Sequence, residues 1–122
     1  MKIMKNKNSD CLFVSPNMSH ELEQSFEKVT LENDFVAVYE DHIPTLCILL
    51  ISGKVNLYKK KRKVKTYTQN TLIGLQHLIN LYPVKYTWKI CANSKVIFID
   101  QSSVKRLQVL LEQSLPSFNA TP

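Results

Sequence analysis

The highest local concentration of charged side chains in this sequence is a cluster of six basic residues within seven positions. They are Lys59, Lys60, Lys61, Arg62, Lys63 and Lys65. The 122-residue chain carries a net charge of +6, so it would be neutral without this run. The basic character therefore comes from one local cluster rather than from a chain-wide surface for nucleic acid. The cluster is either a solvated hairpin tip or a contact for phosphate, a membrane surface or an acidic partner.

Residues 21–41 carry the opposite charge. Seven carboxylates oppose Lys28 in this segment, which gives a net charge of −6. An opposing negative surface would relieve the mutual repulsion of the basic cluster. The acidic segment of a second copy is one such surface, so a homodimer is one expected assembly. A phosphate backbone and an anionic membrane face are the alternatives.

The histidines and the sequence motifs give little support to metal binding or catalysis. His20, His42 and His77 lie in separate segments without metal-ligand spacing, which favours surface or packing roles. Ser19 and His20 are adjacent, but neighbours at a helix start do not face each other. The chain contains no Gly-x-Ser-x-Gly, P-loop or His-Glu-x-x-His motif. We therefore expect a protein without enzymatic activity, metal or cofactor.

The three cysteines bear on the cellular compartment. Cys11, Cys47 and Cys91 are widely spaced and form no Cys-x-x-Cys pair. An odd, scattered set argues against a disulfide framework and against a zinc site. A reducing cytoplasm is the compartment that this usage favours. No run approaches the roughly 18 apolar residues that a membrane-spanning helix needs, so no membrane span is expected.

The elements that must position these residues are short and varied. The periodicity predicts helices at 19–28, 75–81 and 102–113, and strands at 35–39, 45–51, 53–58, 63–68, 86–91 and 95–99. Asn17 or Ser19 would cap the first helix, and 59–62 would form a hairpin turn. Residues 1–14 are expected to be a flexible basic extension, and 15–122 a single domain. The fold class is α+β, mainly antiparallel β, with a β-roll or barrel core and short flanking helices.

This order of elements resembles the cyclic nucleotide-binding domain, the sensor half of Crp/Fnr-type transcription regulators. The chain's only two glycines, Gly53 and Gly74, fall where that family's roll has a glycine, and glycine serves where φ is positive or backbones approach closely. The segment IGLQHLINLYPVKYT at 73–87 aligns without gaps to the family's phosphate-binding cassette. The resemblance implies a double-stranded, jelly-roll-like β-roll. It also implies a ligand site at Gly74, Leu75, Gln76, Val84, Lys85, Tyr86, Thr87 and Trp88.

The cassette departs from the family pattern at its two charged positions. In the family a Glu accepts the ribose hydroxyl and an Arg pairs with the cyclic phosphate, whereas this sequence has Leu75 and Val84 there. Each such contact is worth about 1.5–3 kcal/mol, so the absence of both should weaken binding by roughly 10²–10⁴-fold. Lys85 is displaced by one residue and would point to the opposite face. Backbone amides from Gly74 onward could still hold an anion at the helix N-terminus.

Two functions follow from these features. The first is a sensor or regulatory module that lacks the family's usual nucleotide-binding side chains and acts through an unknown ligand or protein partner. The second is a nucleic-acid- or anionic-surface-associated protein that uses residues 59–65. The family's regulators continue into a dimerisation helix and a helix-turn-helix, whereas this sequence ends six residues after Pro116, so sequence-specific DNA binding is not expected. A sensor domain cut from a longer regulator and a stand-alone domain both fit.

Overall fold

The structure is a computed structural model that describes residues 11–113. Its elements in chain order are β1 (Cys11–Phe13), α1 (Pro16–Ser25), β2 (Val29–Thr30), β3 (Phe35–Val38), β4 (Leu46–Ser52), β5 (Val55–Lys59), β6 (Arg62–Tyr67), β7 (Thr71–Ile73), α2 (Leu75–Asn80), β8 (Thr87–Ile90), β9 (Lys95–Asp100) and α3 (Val104–Gln113). One turn of 3₁₀ helix, Gln101–Ser103, leads into α3.

The strands form two antiparallel sheets. The first sheet has five strands in the order β1-β7-β4-β9-β2, and the second has four in the order β3-β8-β5-β6. The sheets pack face to face, and helices cover the other side of the first sheet. This arrangement confirms the predicted α+β class with an antiparallel β-roll and short flanking helices. No helix within residues 11–113 is long and apolar enough to cross a membrane.

Strand β4 lies in the middle of the first sheet and is buried on both faces. Cys47 and Leu49 contribute to the cluster beneath the helices, whereas Ile48 and Leu50 contribute to the cluster between the two sheets. Successive side chains of a strand point to opposite faces, so a strand covered on both sides needs apolar residues at every position. The unbroken apolar run at 46–51 is therefore a consequence of the three-layer architecture.

Helix α1 begins three residues earlier than the sequence pattern predicts. Ser15 is the N-cap, and its hydroxyl accepts a hydrogen bond from the Met18 amide at 3.1 Å. Pro16 follows at the first helical position, where a missing N–H costs nothing. The expected capping by Asn17 or Ser19 is therefore wrong, and Ser19 is buried within the helix.

The boundary of the N-terminal extension also needs correction. Cys11–Phe13 pairs with β7, and Val14 is buried in the cluster beneath the helices. These four residues belong to the fold and not to a flexible extension, while residues 1–10 lie outside the described part of the chain. Strands β1, β2 and β7 were not predicted from the sequence, because two or three residues are too few to show a period.

Helix α3 confirms the predicted amphipathic C-terminal helix. Val104 and Leu107 are buried in the cluster between the helices and the first sheet. Asp100 caps the preceding turn, accepting hydrogen bonds from the Ser102 hydroxyl at 2.8 Å and the Ser103 amide at 3.1 Å. These hydrogen bonds favour the carboxylate and lower the pKa of Asp100 below its ordinary value of 3.8.

Candidate functional site

The cassette segment begins at a glycine that is pressed against a tryptophan. Gly74 has φ +88°, in the left-handed region, and forms the N-cap of α2. A Cβ atom at this position would overlap the six-membered ring of Trp88. Trp88 is fully buried between the sheets. The indole ring therefore occupies the space directly over the Gly74 backbone, and both the backbone angle and this close approach require glycine.

The two cassette positions that carry charge in the family face different parts of this molecule. Val84 is fully buried in the cluster between the sheets, together with Trp88. Leu75 is partly buried and packs against the cluster beneath the helices. Lys85 is exposed, and its backbone carbonyl accepts a hydrogen bond from the Lys59 ammonium at 3.3 Å. The structure therefore brings Val84 and Trp88 together but does not join Leu75 to them.

The end of the cassette is fixed by the loop that follows β3. The Val84 carbonyl accepts a hydrogen bond from the Asp41 amide at 2.7 Å, and the Val84 amide donates to the His42 carbonyl at 2.9 Å. The Thr87 hydroxyl accepts a hydrogen bond from the Glu40 amide at 3.0 Å. Backbone hydrogen bonds and the Thr87 hydroxyl thus anchor this segment to the loop that follows β3.

The buried indole is held by packing. Among the residues that the structure describes, none forms a hydrogen bond with the Trp88 Nε1 atom. Burying an N–H group without an acceptor is unfavourable, so the apolar contacts of the ring must outweigh that cost. Partly buried Tyr86 and Tyr67 pack against the same cluster.

The basic cluster forms the predicted hairpin. Lys59 pairs with Arg62, and Lys60 and Lys61 make the two-residue loop with φ values of 51° and 71°. Two successive positive φ values define a type I′ turn, which favours Asn and Gly at these positions. The lysine side chains at 60 and 61 are exposed at the tip.

Part of the acidic segment meets the hairpin within the same chain. A Glu40 carboxylate oxygen accepts a hydrogen bond from the Lys60 amide at 2.8 Å, and the Lys59 ammonium lies 3.9 Å from the other oxygen. Asp34, also from this segment, pairs with Lys89 at 3.7 Å. The hairpin of a second copy is one surface that this segment is expected to meet, and Glu40 compensates charge within its own chain.

A groove opens on the outer face of the second sheet, beside the hairpin. Its volume is about 490 Å³, and we call it the outer groove; it is lined by Tyr39, Glu40, Tyr58, Lys60, Lys61, Thr87 and Lys89. Tyr39 is 60% exposed, and the Lys89 ammonium lies 5.9 Å from the centroid of the Tyr58 ring. Lys60, Lys61 and Thr87 are the lining residues that the sequence analysis names.

The remaining predicted residues do not line this groove. Arg62, Lys63 and Lys65 follow the turn along β6 and are exposed, with the Lys65 ammonium 5.1 Å from the Tyr67 ring centroid. The sequence analysis missed Tyr39, Tyr58 and Lys89, which come from three separate parts of the chain. The available signal was alternation, because Tyr58 and Lys89 each follow a buried residue on a strand.

The histidines and cysteines do not assemble into a site within residues 11–113. That part of the chain contains no group of three or more His, Cys, Asp or Glu residues arranged to hold a metal ion. His42 Nδ1 lies 3.1 Å from the Glu40 carbonyl oxygen, and His20 pairs with Gln24 on α1. Burial raises the pKa of the Cys47 thiol from 9.0 to about 12, so this thiol is protonated and unreactive at neutral pH.

Neither a protein-family model nor a curated protein sequence matches the chain. Solved structures do match it. The N-terminal domain of a transcriptional regulator from Streptomyces coelicolor has a TM-score of 0.60 at 18% identity, covering 89% of this chain and 87% of that one. The catabolite activator protein of Thermus thermophilus has a TM-score of 0.61 at 15% identity, covering 87% of this chain. The fold is that of a cyclic nucleotide-binding domain.

A third solved structure with this fold is the regulatory subunit of a cAMP-independent protein kinase A from Trypanosoma cruzi, bound to guanosine. Its TM-score is 0.59 at 18% identity, and the match covers 89% of this chain. The chain spans 54% of the Thermus activator chain and 41% of the Trypanosoma subunit chain. These similarities confirm the predicted β-roll of the cyclic nucleotide-binding type.

Proposed function

We propose that the protein is a non-enzymatic regulatory module of the cyclic nucleotide-binding type whose roll does not take up a cyclic nucleotide. The fold supports the regulatory role, because its structural neighbours include a transcriptional regulator's N-terminal domain and a kinase regulatory subunit. The observation that carries the second half of the proposal is the fully buried Trp88 ring packed on Gly74. A ligand at the cassette would have to displace this ring.

The side chains of the cassette also argue against binding of a cyclic nucleotide. Leu75 offers no acceptor for a ribose hydroxyl, and Val84 offers no cation for a phosphate. Val84 is also fully buried, so a phosphate approaching it would have to leave water without gaining a charged partner. Such an unpaired buried charge is strongly unfavourable.

The signal that the module reads would then be another ligand or a protein partner. The Trypanosoma neighbour is cAMP-independent and bound to guanosine, so a regulatory subunit with this fold need not depend on cAMP. We place the module in the cytoplasm on the strength of its cysteine usage. We do not propose sequence-specific DNA recognition, because residues 11–113 contain no helix-turn-helix.

Isothermal titration calorimetry with cyclic AMP and cyclic GMP tests the proposal. Neither nucleotide should bind with a micromolar or tighter dissociation constant, and a constant in that range for either one would overturn the proposal. The double variant Leu75→Glu with Val84→Arg should also gain no affinity, because the two positions pack into different clusters. A thermal-shift screen of other small molecules would then search for the ligand, since any binder of the folded state raises the melting temperature.

The basic hairpin supports a second candidate function, association with a phosphate-rich partner. Lys60 and Lys61 are exposed at the tip. Within residues 11–113, no carboxylate lies within 4 Å of either ammonium group. A fall in binding between about 50 and 200 mM salt would show that phosphate contacts dominate it.

A further inference from the structure

The outer groove brings together two tyrosine rings, of which Tyr39 is exposed and Tyr58 half-buried, and the ammonium groups of Lys60 and Lys61, which have no carboxylate within 4 Å in residues 11–113. We propose that it binds a single strand of nucleic acid, with a base against the tyrosine rings and the phosphates on the hairpin lysines. This inference rests on the second candidate function and gives it a site, a substrate class and a geometry. It does not depend on whether the roll takes up a small ligand.

The two tyrosine rings of the groove favour a single strand over a duplex as its ligand. Tyr39 is 60% exposed and lines the outer groove together with Tyr58. Bases of single strands stack on such rings without regard to sequence, because every base has a π-face. In a duplex the bases are already stacked on one another and only the phosphates would reach the groove. Two tyrosines in the groove would then serve no purpose in binding.

The charges around the rings favour a phosphate backbone. The groove lining contains Lys60, Lys61 and Lys89 against one acid, Glu40, and Lys89 is paired with Asp34 at 3.7 Å, so Lys60 and Lys61 supply the unpaired positive charge. Glu40 is itself engaged by the Lys60 amide and lies 3.9 Å from the Lys59 ammonium. Its negative charge is therefore partly compensated before any ligand arrives. A strand that enters the groove meets mostly positive charge.

The path of positive charge extends past the groove. Lys63 is exposed and lies opposite Tyr58 in the β5–β6 pair, so it is on the groove face, whereas Lys65 lies opposite the buried Leu57 and faces the other side of the sheet. A mononucleotide in the outer groove would leave the charge of Lys63 unused, whereas a strand of several nucleotides would reach it. The open shape of the groove, on a sheet face rather than inside the roll, also allows a chain to pass across it.

The backbone of the turn supports a role for its lysines. Lys60 and Lys61 both have positive φ, a conformation that L-residues with a Cβ atom disfavour. Asn-Gly would suit this type I′ turn better. Strained backbone positions of this kind cluster at functional sites, and here the strain accompanies two charges that a turn alone does not need.

An anionic membrane fits the hairpin less well. Residues 60–63 at the tip are all basic, so the tip presents no apolar side chain to enter the lipid interface. Peripheral membrane elements combine basic residues with apolar ones that insert between the headgroups. The aromatic rings here line a groove on the sheet face instead of projecting from the tip.

Fluorescence anisotropy of the full 122-residue chain with a labelled oligothymidylate of about 12 nucleotides tests the site. Measurements at about 50 and 200 mM salt would use the wild type, Tyr39→Ala, and Lys60→Gln with Lys61→Gln. The matched control is Lys54→Gln with Lys105→Gln, which removes two exposed charges outside the groove lining. Thermal melts of every variant would verify that it folds.

We expect the wild type to bind at the lower salt. Tyr39→Ala should weaken binding by roughly 5- to 150-fold, the range measured for one base stacked on a ring. The hairpin double variant should bind at least about tenfold more weakly and should lower the slope of log affinity against log salt by about 1.4. The control should change affinity by less than about threefold, because Lys54 and Lys105 do not line the groove and salt weakens their effect on a ligand there.

Four results would overturn the inference. The first is that the wild type does not bind the oligomer at the lower salt, and the second is that a free nucleotide binds as tightly as the oligomer. The third is that a duplex or an anionic vesicle binds as tightly as the oligomer and that Tyr39→Ala does not change this affinity. The fourth is that the control variant weakens binding as much as the groove variants do. None of these results bears on the calorimetry with cyclic nucleotides, so the two proposals fail separately.

Discussion

The two faces of the second sheet carry opposite chemistry. On β8, Trp88 and Ile90 point inward and are fully buried, while Thr87 and Lys89 point outward and line the outer groove. The inward face is apolar and packed, and the outward face is aromatic, basic and open.

This difference shows that a fold marks where a site can lie but does not supply its chemistry. Here the inner position is filled by the protein's own indole ring, and the charged groups that could recognise an anion lie on the other side of the same strands. Strand alternation makes this separation simple, since neighbouring residues face opposite ways. Substitutions can therefore perturb the two faces independently.

The largest effect should come from emptying the inner face. Trp88→Ala should lower the free energy of unfolding by about 3–5 kcal/mol, because it leaves a cavity between the sheets. Urea denaturation measures the decrease, and added indole should restore part of the melting temperature of this variant only. The matched control on the outer face, Tyr39→Ala, should stay within about 0.5 kcal/mol of the wild type. Equal stability of the two variants would contradict the difference between the faces.

Crowding the inner face should lower the free energy of unfolding nearly as much as Trp88→Ala does. Gly74→Ala places a Cβ atom against the Trp88 ring and forces a residue with a side chain to keep φ near +88°. We expect a decrease of about 2–4 kcal/mol, from overpacking and from the backbone angle together. Urea denaturation should also show that Gly74→Ala combined with Trp88→Leu costs less than the sum of the single changes, since the smaller side chain removes the overlap. Strictly additive effects would mean that the indole does not lie over Gly74.

On the outer face, a substitution that suits the turn should instead raise the free energy of unfolding. Lys60→Asn with Lys61→Gly should raise the free energy of unfolding by about 1 kcal/mol, because these residues suit a type I′ turn. Lys60→Gln with Lys61→Gln removes the same two charges but keeps the unfavourable backbone. Denaturation at about 1 M salt, where charge repulsion is screened, should therefore separate the two variants. The same stability for both would show that the turn is not strained.

The smallest effect concerns the helical layer and should leave both faces of the second sheet unchanged. The lowered pKa of Asp100 means that its hydrogen bonds stabilise the fold above pH 3.8 and that this contribution disappears as the pH falls through the lowered pKa. Circular dichroism melts below pH 3.8 should therefore show a steeper decrease in stability for the wild type than for Asp100→Asn. The same pH dependence for both proteins would refute the role of this cap.

Much of the fold could be predicted because its main elements are long enough to show a pattern. The apolar run of β4, the β5–β6 hairpin and the stripe of α3 each gave a period or a turn signal. The start of α1 was missed even though Ser15-Pro16 is a recognised cap signal. Strands of two or three residues gave no signal at all.

The site was less predictable because it depends on contacts between distant segments. The two glycines pointed to positions of restricted backbone, but no local pattern showed that Trp88 lies over Gly74, fourteen residues away. Strand pairing between β5 and β8 brings Tyr58 and Lys89 together, and Tyr39 follows directly after β3, which pairs with β8; such pairing is decided by the whole sheet. Only the basic hairpin, which is local in sequence, was found from sequence alone.

Trp88 fluorescence tests the central claim, that the roll interior is filled, most directly. Trp88 is the chain's single tryptophan, so its emission reports on the inner face alone. The fully buried ring should emit at the short wavelengths of an apolar environment and resist quenching by acrylamide. Saturating cyclic AMP or cyclic GMP should change neither property. Emission typical of a water-exposed indole, or a shift in emission or quenching on addition of either nucleotide, would contradict a roll closed by its own side chain.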